Sequence, residues 1–145
     1  MSRFDVEFSE TQLVLDTPDF YNELKKTFAV QKVPALIDGD LQVWDSLAIC
    51  EYINDAYLSG AAWPKYITQR AKARALSAEM HSGFGALRSD CPMNLHTAYS
   101  NYQPSDDVIA DLRRLETIWD HARATCAPTG PWLCGNYSAA DAFFA

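Results

Sequence analysis

One segment of this 145-residue chain constrains its fold more than any other: residues 32–57, KVPALIDGDLQVWDSLAICEYINDAY. In Val33-Pro34 a proline precedes an apolar run, where it removes a backbone donor and allows a cis peptide bond at only ~0.5–1 kcal/mol. A cis bond is thus possible there. Residues 35–37 are typical of a short buried strand, residues 38–40 of its turn and residues 41–43 of the returning strand. The segment thus predicts a β-hairpin.

A helix is predicted directly after the hairpin. Asp45 and Ser46 are both preferred N-cap residues, and apolar residues then recur at helical spacing. These residues are Leu47, Cys50, Ile53 and Tyr57, with Ile49 and Ala56 widening the stripe. The N–H groups at the start of such a helix attract anions, and the Ser46 hydroxyl adds a donor. The sequence therefore places a possible anion site where the hairpin ends.

Composition and cysteine usage exclude several classes of protein. The formal net charge of −7 argues against nucleic acid as a partner, since phosphates require basic patches. No apolar run reaches the ~18 residues of a membrane span, and MSRFDVEF lacks the apolar core of a signal peptide. We therefore expect a cytoplasmic protein with no membrane or nucleic-acid partner.

The cysteines and histidines predict neither disulfides nor a metal site. Cys50, Cys91, Cys126 and Cys134 contain no CxxC pair. Three pairings are possible, but without a secretory signal we interpret all four as reduced thiols. The three histidines have no ligand-like spacing with them.

The rest of the chain predicts one further strand and several helices. Phe4, Val6 and Phe8 alternate with charged residues, which is typical of a half-buried strand. Thr17-Pro18 predicts the start of a short helix. Residues 58–63 are predicted as a linker, and Ser105 as the N-cap of a late helix.

A long helical pattern begins at Thr68 and is predicted to end at Cys91-Pro92. Gly83 and Gly85 within it each cost ~1 kcal/mol relative to alanine. They indicate either close approach of a backbone or ligand, or a local kink. Near the end of the sequence, Ser138 and Asp141 have the spacing of a capping box.

Two stretches carry a resemblance to the cytosolic glutathione transferases. VPALIDGDLQVWDSLAICEYI resembles the second half of their thioredoxin-like domain, and RAKARALSAEMHSGFGALRSDCPMN is similar to one bacterial branch. The resemblance implies an α+β protein. Residues 1–58 would form a partial thioredoxin-like α/β domain, and residues 65–145 an all-α C-terminal domain. The first strand and helix of the family would precede Arg3, so we expect a chain truncated at both ends.

The resemblance implies a glutathione site at Lys32, Val33, Pro34, Asp45 and Ser46. Val33 would exchange backbone hydrogen bonds with the cysteinyl residue, as in β-strand addition. Such a strand edge needs Val33 turned outward, so the resemblance also implies a cis Val33-Pro34 bond. Ser46 and the helix N-terminus would hold the γ-glutamyl carboxylate, and Asp45 the γ-glutamyl ammonium. Met80, His81 and Phe84 are candidates for the pocket of a hydrophobic electrophile, although plain core packing explains the same spacing.

The implied activity is conjugation of glutathione, as co-substrate, to an electrophilic small molecule, without a metal. This is a detoxification chemistry, and the parent protein would be a homodimer. In the family the thiol-activating Ser, Tyr or Cys lies in the expected preceding segment, so the catalytic residue is unknown and a truncated chain is expected to be inactive. Two alternatives stay open: a glutathione-dependent isomerase, and a non-catalytic interaction module.

Overall fold

The computed structural model describes residues 4–27, 31–94, 96–126 and 129–144. The chain forms two compact units, Met1–Ala62 and Trp63–Ala145. The first unit contains α1 (Pro18–Thr27), β1 (Ala35–Asp38), β2 (Leu41–Trp44) and α2 (Ser46–Ala56). The second contains α3 (Ile67–Ser82), α4 (Gly85–Asp90), α5 (Asp106–Thr125) and α6 (Ala139–Phe143). An α+β unit is thus followed by an all-helical unit.

The predicted hairpin is confirmed. Strand β1 pairs antiparallel with β2, and the register runs from Ala35 opposite Trp44 to Asp38 opposite Leu41. Gly39 in the turn has φ +57°, a conformation that glycine adopts at no steric cost. The predicted cis Val33–Pro34 bond is also confirmed.

The strand predicted from the alternation of Phe4, Val6 and Phe8 is wrong. Residues 6–14 have no regular secondary structure, and Phe8 is exposed. A strand needs a neighbour to pair its backbone groups, and the alternating pattern does not supply one. Within the described residues, the sheet of this unit consists of β1 and β2 alone.

Both helices of the first unit begin at side-chain caps. Thr17 Oγ1 accepts a hydrogen bond from Phe20 N at 3.2 Å, and α1 then buries Phe20 and Leu24. On α2, Ile53 and Asn54 are buried. The Asn54 amide is not left unsatisfied, because its Oδ1 accepts from Ala62 N at 3.2 Å. The caps fix the first residue of each helix. The Asn54 amide joins α2 to Ala62, the last residue of the unit.

In the helical unit, the long helix predicted from Thr68 to Cys91 is broken into two. Helix α3 ends at Gly83, where a Cβ atom would lie 2.8 Å from the Glu79 carbonyl oxygen. Phe84 then takes a left-handed conformation with φ +57°, and α4 starts at Gly85. That carbonyl belongs to the last turn of α3 itself and not to another segment, so the pair of glycines marks a local break in the helix.

The later helices begin as predicted. Ser105 Oγ accepts from Val108 N at 3.3 Å, and α5 buries Val108, Leu115, Ile118 and Ala122. The capping box at α6 is confirmed, with Ser138 N donating to Asp141 Oδ2 at 2.8 Å. Within the described part of the chain, we find no helix with the length and apolar character that crossing a membrane requires.

Candidate functional site

The two ends of the hairpin bring the predicted site residues together. Because Ala35 lies opposite Trp44, the segment entering β1 and the segment leaving β2 meet at the same end of the ladder. Val33 and Pro34 precede Ala35, whereas Asp45 and Ser46 follow Trp44. Directly opposed residues of an antiparallel pair lie about 4.5–5.5 Å apart. Four of the five predicted glutathione-binding residues therefore flank one open end of a hairpin, and Lys32 is the next residue outward.

The start of α2 has an unusual backbone. Asp45 has φ +78° and ψ +126°, a backbone conformation that residues other than glycine rarely adopt. Its Oδ1 accepts from Leu47 N at 2.9 Å and from Ala48 N at 3.3 Å. Strained backbone of this kind costs ~1–3 kcal/mol and concentrates at functional sites. The cap bonds offset part of that cost, and the conformation sets the direction in which α2 leaves the hairpin.

A groove of about 880 Å³ runs along β1 in the same unit. Val33, Pro34 and all four residues of β1 line one side of it, and parts of α1, α2 and residues 6–13 line the rest. Val33 is 46% exposed. Lys32, Asp45 and Ser46 are not among the lining residues of this groove. The groove therefore meets the hairpin at its β1 entrance and not at the α2 N-terminus.

A carboxylate that the sequence did not single out ties the hairpin to α2. Asp38 Oδ2, at the end of β1, accepts a hydrogen bond from Tyr52 Oη at 2.6 Å and another from Tyr57 Oη. These two bonds lower the pKa of Asp38, the Tyr52 bond more strongly. The same carboxylate raises the pKa of Tyr52 to about 12 and also raises that of Tyr57. No local motif signals this network, because its partners are 14 and 19 residues apart.

The residues predicted for an electrophile pocket lie where α3 ends and α4 begins. Phe84 is buried, and the His81 ring makes an edge-to-face contact with Phe143, with ring centroids 6.2 Å apart. The Met80 and His81 carbonyls accept from the Arg88 guanidinium at 3.4 and 3.1 Å. Their role in a substrate pocket stays a prediction.

A second cavity, of about 350 Å³, lies between α3 and α5. Its floor includes Leu76 and Ile118, and its rim includes Glu79 and Arg114, which form a two-pronged ion pair at 2.6 and 3.0 Å. Met80, His81 and Phe84 are not among its lining residues. Across the described ranges, no group of three or more His, Cys, Asp or Glu side chains is placed to hold a metal ion.

The hairpin, its strained cap and the following helix belong to the first, α+β unit. Comparison with known families identifies it further. Residues 2–55 match the family described as glutathione S-transferase, N-terminal domain. The match supports membership of the glutathione S-transferase family and implies a thioredoxin-like N-terminal domain. A search of curated proteins finds no match to the chain.

Proposed function

We propose that this protein binds glutathione at the open end of the β1–β2 hairpin and transfers its thiol to an electrophilic small molecule. The observation that carries the proposal is the hairpin register. It gathers Val33, Pro34, Asp45 and Ser46 at one end of a domain that matches the glutathione S-transferase N-terminal family. Glutathione is the family's substrate, and its extended peptide suits a strand entrance.

Each part of glutathione has a partner of matching chemistry at this end of the hairpin. The Val33 backbone lies before the first paired residue of β1, where it would exchange hydrogen bonds with the cysteinyl residue. The N-terminus of the 11-residue helix α2 would bind the γ-glutamyl carboxylate with help from Ser46. Asp45 would accept from the γ-glutamyl ammonium, and the Lys32 ammonium would pair with the glycyl carboxylate.

The proposed site residues supply binding and orientation. A thiol with a pKa of ~8.5 is only about 3% ionised at pH 7, and lowering that pKa by about two units corresponds to ~2.7 kcal/mol. In the proposed reaction, a hydrogen-bond donor near the sulfur lowers the pKa of the thiol. We assign this donor to none of the described residues. The proposed site residues hold the peptide so that its sulfur faces the electrophile, which removes an entropic part of the barrier.

The binding half of the proposal is tested by calorimetry on the full chain with glutathione. Ser46→Ala should weaken binding by ~1.5–3 kcal/mol, the range for a hydrogen bond to a charged group. Ser82→Ala is the matched control, because Ser82 is an exposed helical serine whose hydroxyl donates to Ala78 O at 2.8 Å. Equal affinities in the wild type and Ser46→Ala would remove Ser46 from the site.

The reaction half is tested by product analysis. The full chain is incubated with glutathione and an aryl halide, and the conjugate is quantified against a buffer blank. A saturable rate above the blank supports the transferase. Glutathione binding together with a conjugation rate equal to the blank would contradict the transferase and agree with the inactive chain that the family resemblance leads us to expect. Turnover of an isomerisable substrate without net consumption of glutathione would identify an isomerase.

A further inference from the structure

The groove of about 880 Å³ in the first unit runs along an edge of the sheet. Successive side chains of a strand point to opposite faces of the sheet, yet all four residues of β1 line this groove, and the residues of β2 do not. A groove that contacts both faces of one strand and not its partner lies at the outer edge of that strand. Within the described residues, β2 is the only strand that pairs with β1. The outer edge of β1 therefore presents backbone N–H and C=O groups that another strand can pair.

Another wall of the groove is a stretch of chain without regular secondary structure. Residues 6–13 all line the groove, and in the described part of the chain they belong to no helix, strand or isolated bridge. This stretch lines the same groove as β1 but does not pair with it. The space beside β1 is therefore bounded by a second segment of chain and is not closed by it.

Both helices of the unit contribute apolar side chains to the groove. Phe20 and Leu24 of α1 are 8% and 1% exposed, and Ile53 of α2 is 9% exposed. An added strand that carries apolar side chains on one face would pack them against these residues. A sheet of two strands is marginally stable, whereas three strands with an apolar face packed on helices form a stable sheet. The groove therefore suits an extended segment with apolar side chains at every second position.

The charged residues that line the groove are all acidic. They are Glu7, Glu10, Glu23 and Asp38, and no lysine, arginine or histidine is among the lining residues, all of which the structure describes. Asp38 accepts hydrogen bonds from two tyrosines, and Glu23 pairs with Lys26 at 2.8 Å. Glu7 and Glu10 are exposed. An acidic groove attracts a basic partner, and it disfavours a second copy of this chain, whose formal net charge is −7.

We propose that this groove binds an extended peptide segment of another protein, with alternating apolar and basic side chains, as an added strand on the outer edge of β1. Backbone hydrogen bonds to Ala35–Asp38 provide affinity, and the side chains provide selectivity. The apolar side chains pack on α1 and α2, and the basic side chains lie near Glu7 and Glu10. The inference concerns the edge of β1 and does not depend on glutathione binding at the hairpin end.

The probe is a labelled peptide of alternating lysine and valine, about nine residues long so that it extends past both ends of β1. Its binding to the full chain is followed by fluorescence anisotropy. One control peptide carries glutamate in place of lysine. The other carries N-methyl groups on its central residues, which removes their backbone donors and keeps every side chain and charge. We expect each control to bind at least roughly tenfold more weakly than the probe. No binding of the probe, or equal affinity for the probe and either control, would overturn the proposal.

Protein variants test the acidic wall of the groove. Glu7→Gln combined with Glu10→Gln should weaken binding of the lysine peptide about fivefold and reduce its dependence on salt, because two exposed charge pairs are lost. The control combines Glu116→Gln with Asp120→Asn, two exposed residues of α5, and changes the net charge by the same amount. It should leave the affinity unchanged. Equal losses in the two double variants would show general attraction to an acidic protein and contradict the groove as the binding site.

Amide hydrogen exchange identifies the bound region without any substitution. The lysine peptide should slow exchange in Ala35–Asp38 and leave α5 unchanged, because an added strand pairs the outer edge of β1. Protection confined to α5 would place the peptide in the helical unit and overturn the proposal. Sedimentation of the chain alone tests the other occupant of the groove. Self-association that protects Ala35–Asp38 and that the peptide does not reverse would assign the groove to a second copy and contradict a peptide partner.

Discussion

At the scale of single residues, Asp38 joins the hairpin to α2 through two phenolic hydroxyls. Tyr52→Phe removes the hydrogen bond that lowers the pKa of Asp38 most, without changing the ring that packs beside Tyr57 at 6.3 Å. We expect a lower midpoint of denaturant unfolding in Tyr52→Phe and no change in the control Tyr66→Phe, whose ring is largely exposed. A midpoint equal to that of the wild type would show that the Asp38–Tyr52 bond adds nothing to stability.

The same network predicts a pH signature. The pKa of Tyr52 in the folded protein is about 12, above the ordinary tyrosine value of 10.0, so the folded state binds this proton more tightly than the unfolded state. The resulting stabilisation is complete below pH 10 and is lost as the pH rises towards 12. In a spectrophotometric titration, the wild type should show a late-ionising tyrosine that is missing in Tyr52→Phe. Identical titration curves would contradict the network.

Asp45 has two roles that one substitution separates. Asn caps helices about as well as Asp, so Asp45→Asn should keep the bonds to Leu47 N and Ala48 N and change the unfolding midpoint little. The amide lacks the charge that the proposed site offers to the γ-glutamyl ammonium. We therefore expect glutathione affinity to fall by ~1.5–3 kcal/mol in calorimetry. A large loss of stability with unchanged affinity would reverse this assignment.

At the scale of elements, Ser105 at the start of α5 and Asp141 in the first turn of α6 differ in the number of backbone N–H groups that they bind. Ser105 satisfies one N–H at the start of α5, whereas Asp141 satisfies Ser138 N and Leu133 N. Ser105→Ala should cost ~1 kcal/mol of unfolding free energy, and Asp141→Ala about 3 kcal/mol at roughly 1.5 kcal/mol for each bond to a charged acceptor. Denaturant unfolding measures both, with the exposed Asp120→Ala as control. Equal losses in the two variants would show that the Leu133 bond is not a significant restraint.

At the scale of the whole molecule, the sequence predicts the features that depend on a few neighbouring residues. The hairpin and the caps at Asp45 and Ser105 follow from turn and cap chemistry within four residues. The strand at residues 4–8 was wrong because pairing depends on a distant sheet edge. The bonds of Asp38 to Tyr52 and Tyr57 depend on how α2 packs against the hairpin, and the periodicity of the sequence does not report that packing. At the candidate site, the sequence did not predict the strained conformation of Asp45.

The distribution of the core predicts uneven stability along the chain. In the first unit a two-stranded sheet carries Ile37, Leu41 and Trp44 exposed, and a sheet of this size is marginally stable. Helix α5 in the second unit has 20 residues and a buried stripe of four. Amide hydrogen exchange should therefore be fast in β1 and β2 and slow in α5.

Glutathione should slow amide hydrogen exchange at the hairpin and not in α5. A ligand that binds only the closed hairpin slows exchange from the open state by 1 + [L]/Kd, which is about 100-fold at a concentration of 100 Kd. We expect this protection at residues 33–48 of the wild type, a smaller effect in Ser46→Ala at the same glutathione concentration, and no change in α5. Mass spectrometry of peptides from the hairpin and from α5 measures both regions in one experiment. Protection confined to α5 would place the ligand in the helical unit and exclude the hairpin as the glutathione site.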